Sequence, residues 1–127
     1  MPEPTLQSII VETQSRYLSE QSDPAQNRFA FAYTITIRNT GTLAAQLLDR
    51  HWIITDGNGK VQEVRGEGVI GEQPLIEPGA SHTYTSGCLL ETPVGSMQGS
   101  FGMRRADGVP FRAPVQVFRL ARPNALN

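Results

Sequence analysis

Residues 28–39, RFAFAYTITIRN, set large apolar side chains at every second position, with small or polar ones between. Phe29, Phe31, Tyr33, Ile35 and Ile37 form one set; Arg28, Ala30, Ala32, Thr34, Thr36 and Arg38 form the other. A helix would scatter the first set around its axis, whereas a strand collects it on one side. The segment therefore predicts a strand with the aromatic and isoleucine face in a core and the other face in water. That is the pattern of an antiparallel sheet.

The rest of the chain follows this lead. Ile9, Val11, Thr13 and Tyr17 recur at period two between Glu12, Gln14 and Arg16, predicting a half-buried first strand. Residues 18–27 break the pattern with polar side chains and Asp23-Pro24, and read as a long, mobile connection. Asn39-Thr40-Gly41 supplies a turn. Residues 44–56 form the third strand, apolar through Trp52, Ile53 and Ile54, and Asp56-Gly57-Asn58-Gly59 signals a hairpin into residues 60–65. Residues 66–78 hold Gly66, Gly68, Gly71, Pro74 and Pro78, and predict a loop with one short extended piece at Leu75-Ile76. Strands are expected again at residues 81–90, at 96–105 with Met97, Phe101 and Met103 on one face, and at 111–120. Asp107-Gly108 makes the last turn a two-residue hairpin. Pro114 cannot donate to a ladder, so the final strand must be an edge or carry a bulge.

Seven or eight strands with no helical periodicity predict an all-β fold, an immunoglobulin- or fibronectin-III-like β-sandwich of two antiparallel sheets with Trp52 between them. A closed barrel is the alternative. At 127 residues the chain reads as a single domain, 1–127, with loose termini at 1–7 and 121–127.

The formal charge of −1 gives no basic face for nucleic acid, although ten of the eleven basic residues are arginine. Cys88 is the one cysteine, so no internal disulfide forms, which fits a reducing compartment. The longest apolar run near the start, residues 9–11, is far short of a signal sequence or membrane span. These features predict a cytoplasmic protein with no membrane insertion.

The motif Gly66-Glu67-Gly68-Val69-Ile70-Gly71 has the GxGxxG spacing. Dinucleotide binding requires it to open a helix whose amides hold a pyrophosphate. Glu72-Gln73-Pro74 and the Pro78-Gly79 that follows leave no room for that helix, and no kinase motif accompanies it. The glycines then serve as tight backbone turns. The alternative is an anion loop in which Gly66, Gly68 and Gly71 aim amides at phosphate or pyrophosphate and Arg65 adds a charge-assisted bond. Asp49 and His51 share a strand face and permit weak divalent-cation binding, but with His82 they fall short of the three or four placed ligands of a metal site. Cys88 has no neighbour that would lower its pKa and reads as a buried structural thiol. No nucleophile elbow or acid pair appears, so the expectation is a non-enzymatic binding module with no cofactor and no metal. Its expected ligand is a protein partner met through loops or an exposed sheet edge. An uncharacterised hydrolase is the weakest alternative.

The pieces Arg50-His51-Trp52, residues 54–56 with Gly59, residues 64–71, Gln73-Pro74, Pro78-Gly79, Tyr84-Thr85-Ser86-Gly87-Cys88, and Thr92-Pro93 with Gly95, Met97 and Gly99 form a spaced set. Through them the chain resembles the ApaG family of small bacterial proteins. The resemblance implies a fibronectin-III-like sandwich. It associates bacterial members with cobalt resistance, magnesium efflux and the hydrolase acting on diadenosine tetraphosphate. A related domain in eukaryotic F-box and polymerase-delta-interacting proteins looks like a protein-interaction module. The resemblance supplies no catalytic residues.

Overall fold

The computed structural model describes residues 8–124, so the lead-in at 1–7 and residues 125–127 lie outside it. Eight strands follow one another: β1 (Ile9–Tyr17), β2 (Phe29–Asn39), β3 (Ala45–Asp56), β4 (Val61–Glu67), β5 (Leu75–Ile76), β6 (Ser81–Leu90), β7 (Val94–Arg105) and β8 (Pro110–Ala121). One sheet has the order β1-β2-β6; the other has β4-β3-β7-β8, with β5 also paired to β3. All pairings are antiparallel. This is the two-sheet, fibronectin-III-like sandwich rather than a closed barrel.

The alternation in β2 does what its sequence requires: Phe31, Ile35 and Ile37 are fully buried between the sheets. Leu47, Trp52 and Ile54 of β3 and Met97, Phe101 and Met103 of β7 face them from the second sheet. Trp52 lies at the centre, 2% exposed, with T-shaped contacts to Tyr33 and Phe101 at 5.7 Å and to Phe118 at 6.1 Å. Such aromatic pairs add about 0.5–1.5 kcal/mol each beyond their area burial.

Two expectations need correction. Ala30 and Ala32, assigned to the wet face of β2, are buried. β2 is the middle strand of its sheet, so each small side chain has a neighbour on both sides: Arg16 and Gly87 flank Ala32, and Leu18 and Leu89 flank Ala30. The connection at residues 18–27 is not a featureless loop. It holds two single turns of 3-10 helix, Ser19–Gln21 and Pro24–Gln26, and is tied to β2. The Leu18 amide donates to the Ala30 carbonyl at 2.8 Å, and the Ala30 amide donates to Ser22 Oγ at 2.8 Å.

The two long sides of the sandwich differ. On one side β1 meets β8, and Ser15 Oγ donates to the Arg119 carbonyl at 2.7 Å. Pro114 sits there on the edge strand β8, next to a register shift against β7, which satisfies both options that proline allowed. On the other side β4 pairs only with β3, and β6 only with β2. That side is open.

Candidate functional site

The glycine motif closes β4 and makes a turn; no helix begins after Gly71. Gly66 is still within β4, opposite Arg50. Gly68 (φ +62°) turns the chain, and its amide donates to the Leu48 carbonyl at 2.8 Å. Val69 and Glu72 exchange both main-chain bonds, at 2.8 and 3.0 Å, around Ile70 (φ +48°) and Gly71 (φ +74°). Two successive positive φ values are the signature of a type I′ hairpin turn. Val69 anchors this turn in the core at 1% exposed, while Ile70 projects at 59%. Arg50 Nη1 clamps the motif from beneath, donating to the Glu67 and Gly68 carbonyls at 3.0 Å each.

The four residues of the expected anion loop are therefore placed as follows. The Gly68, Val69 and Glu72 amides donate to protein carbonyls. Arg65 lies across from His51, and strand alternation sends it to the outer face of the sheet, away from the inner face where Gly66 meets Arg50. Its Nη2 donates to Glu63 Oε2 at 3.0 Å.

His51 and Asp49 do share the outer face of β3, each engaged with a different partner. His51 Nε2 lies 2.7 Å from Glu63 Oε2. Arg112 Nη2 donates to Asp49 Oδ1 at 2.9 Å, and Arg112 Nε to Ser100 Oγ at 2.9 Å. The hydrogen bond from His51, then the charge of Arg65, hold the Glu63 carboxyl below its usual range. No group of three His, Cys, Asp or Glu side chains suited to a metal occurs among the described residues. His82 lies on β6, its ring 6.4 Å from that of Tyr84, with Nε2 buried. Cys88 is half-buried against the core, and burial pushes its thiol up to about 11.

The open side carries the feature that the sequence reading did not single out. Strand β6, SHTYTSGCLL, is an edge strand of ten residues with no charged residue and no proline. Natural edge strands are usually protected by such residues or by bulges. β8 has Pro110 and Pro114, and β4 has Glu63, Arg65 and Glu67. The signal was in the sequence as an absence of charge, but only the topology shows that this strand is an edge.

The flanking main-chain bonds set which groups of β6 face outward. The Asn39 amide donates to the Ala80 carbonyl at 3.0 Å, whereas Ala30 on β2 and Thr40 just past its end turn their amides to Ser22 Oγ and the Ser8 carbonyl. In an antiparallel pair the bonding residues alternate. Even-numbered residues of β6 thus bond to β2, and Thr83, Thr85, Gly87 and Leu89 direct amides and carbonyls to the free edge. On the outer face Thr34 and Thr85 hydroxyls meet at 2.9 Å, and Thr36 and Thr83 at 3.1 Å. At the Leu90 end the gap between β6 and β4 widens into a cleft of about 450 Å³, lined among others by Arg28, Ile54, Lys60, Gln62, Leu90 and Glu91.

A fibronectin-III-like sandwich with one unprotected sheet edge is the class that these observations define. Comparison with known proteins is consistent with it. The model of the ApaG domain matches residues 19–105. The chain is 64% identical over 123 residues to Protein ApaG of Pseudomonas paraeruginosa, covering 97% of this chain and 98% of that one. It is 61% identical over 127 residues to Protein ApaG of Azotobacter vinelandii, covering all of both. A crystal structure described for an ApaA protein of Bordetella pertussis superimposes with a TM-score of 0.90 at 51% identity, covering 92% of this chain and 95% of that one. The chain belongs to the ApaG domain family. No helix among the described residues is long and apolar enough to cross a membrane.

Proposed function

We propose that this chain is a non-enzymatic protein-binding module that receives an extended segment of its partner along the free edge of β6. The observation that carries this reading is the ten-residue edge without charge or proline, with four residues that direct their main-chain groups outward. Strand addition uses main-chain hydrogen bonds for affinity and alternate side chains for specificity. By resemblance alone, its bacterial role would touch cobalt resistance and magnesium efflux, and its partner would be met in the cytoplasm.

The test is affinity capture from native cytosol with the wild-type chain and with Thr85→Pro, each checked for the native emission of Trp52. Proline removes one outward amide and leaves the bonds of the even-numbered residues to β2 in place. Thr83→Lys, which adds an edge charge, is the second variant. A protein retained by the wild type and lost by both variants supports the reading. Retention by both variants contradicts it. Shifts of the Gly66, Gly68 and Gly71 amides with millimolar pyrophosphate would favour phosphate binding through Arg65 and that loop instead.

A further inference from the structure

We infer that the cleft at the Leu90 end of the open edge is a carboxylate subsite, with Arg28 as the residue that holds the carboxylate of a peptide bound along β6. The inference rests on the strand-addition reading and adds the chemistry of the segment. Four ionic side chains line the cleft: Arg28, Asp56, Lys60 and Glu91. Three of them are committed. Asp56 Oδ1 accepts from the Asn58 and Lys60 amides at 2.8 and 2.9 Å, which holds the hairpin turn. Lys60 Nζ donates to Glu91 Oε1 at 2.9 Å.

Among the described residues the Arg28 side chain has no hydrogen-bond or ion-pair partner. Its backbone is fixed, however: the Arg28 amide donates to the Asp23 carbonyl at 3.0 Å, and its carbonyl accepts from the Asp23 amide at 2.8 Å. An anchored residue thus offers an uncommitted, planar, five-donor cation at the mouth of a cleft. A guanidinium of that kind matches a carboxylate in two parallel bonds. Leu89, Leu90 and Glu91 belong to the same cleft wall, so a strand running along β6 ends over it. The inward side chains of such a strand pass over Cys88 and Leu90 on β6 and face Val64 and Gln62 on β4. The segment that fits carries apolar residues at alternate positions and an acidic residue at the end that reaches Arg28.

The probes are capped eight-residue peptides of alternating valine and threonine, with one terminal glutamate at either end, and matching peptides with glutamine there. Each is titrated into the isotope-labelled full chain, and amide shifts at Thr83, Thr85, Gly87 and Leu89 are followed. One glutamate peptide is expected to bind at least ten-fold tighter than its glutamine counterpart, with the difference shrinking as salt rises. Arg28→Gln is expected to abolish that difference and leave the glutamine peptide's affinity unchanged. Equal binding of the glutamate and glutamine peptides, or a preference that survives Arg28→Gln, overturns the carboxylate subsite alone. If no peptide moves the four edge amides, strand addition itself fails, and the subsite with it.

Discussion

The guanidinium of Arg50 lies flat against Gly66: a Cβ at that position would sit 2.8 Å from Cζ, Nη1 and Nη2 alike. The glycine is required by an arginine inside the protein, with no phosphate needed to explain it. Gly68 is required for a different reason, since a Cβ there would fall 2.3 Å from the Glu72 carbonyl oxygen at φ +62°. Gly66→Ala should push Arg50 off its two carbonyls and cost about 1.5–3 kcal/mol, the range for hydrogen bonds to a charged group. In an Arg50→Ala background the same substitution should cost far less. Gly68→Ala meets rigid backbone and should destabilise in either background. Urea denaturation of the five variants (Gly66→Ala and Gly68→Ala in each background, and Arg50→Ala alone) and the parent checks all three statements.

Ile70 stands in the left-handed region at φ +48° with most of its side chain in water. Branching at Cβ makes this conformation costly, by about 1–2 kcal/mol relative to the right-handed region. Asparagine tolerates it. Ile70→Asn should therefore stabilise the chain by about 1 kcal/mol, read as a higher urea midpoint at unchanged slope.

Burial raises the Cys88 thiol to about 11, so little thiolate exists near neutrality. At pH 8 the folded chain should react with a thiol reagent far more slowly than the same chain in denaturant. Equal rates would show that this face of β6 opens readily.

Folding depresses the Glu63 carboxyl, first through His51 and then through Arg65, and Asp107 is depressed mainly through Arg105. A carboxyl whose folded pKa is lowered contributes stability that is complete above its unfolded pKa and is lost as pH falls through the folded value. The chain should lose stability on acidification through and below the ordinary carboxylate range. Glu63→Gln should flatten part of that limb without altering stability changes on the alkaline side. Denaturant midpoints measured from pH 3 to about pH 6 check it.

Much of this fold was legible because period-two alternation and turn residues act locally. The strand at 81–90 and the extended pair Leu75-Ile76 fall where the sequence placed them, and Asp107-Gly108 turns where glycine allowed it, with Gly108 at φ +91°. What was not legible depends on neighbours. Ala30 and Ala32 are buried because β2 is central, a fact of strand order that no local pattern carries. Asn39 reads as a turn residue, yet it is 1% exposed and fastens distant chain, donating Nδ2 to the Leu43 and Ile76 carbonyls at 2.8 and 3.0 Å. Ile70 escaped notice because glycine is the residue expected where φ is positive. The candidate edge was illegible for the same reason as the alanines: an uncharged strand is ordinary inside a sheet and becomes a binding surface only when it lies at the border.

Amide hydrogen exchange along β6 tests the central claim most directly. In the isolated chain the amides of Thr83, Thr85, Gly87 and Leu89 should exchange quickly while those of His82, Tyr84, Ser86 and Cys88 are protected. With a strand-forming ligand bound, the first set should slow to match the second. Protection of the odd-numbered amides in the isolated chain, or no change when ligand binds, would contradict the account.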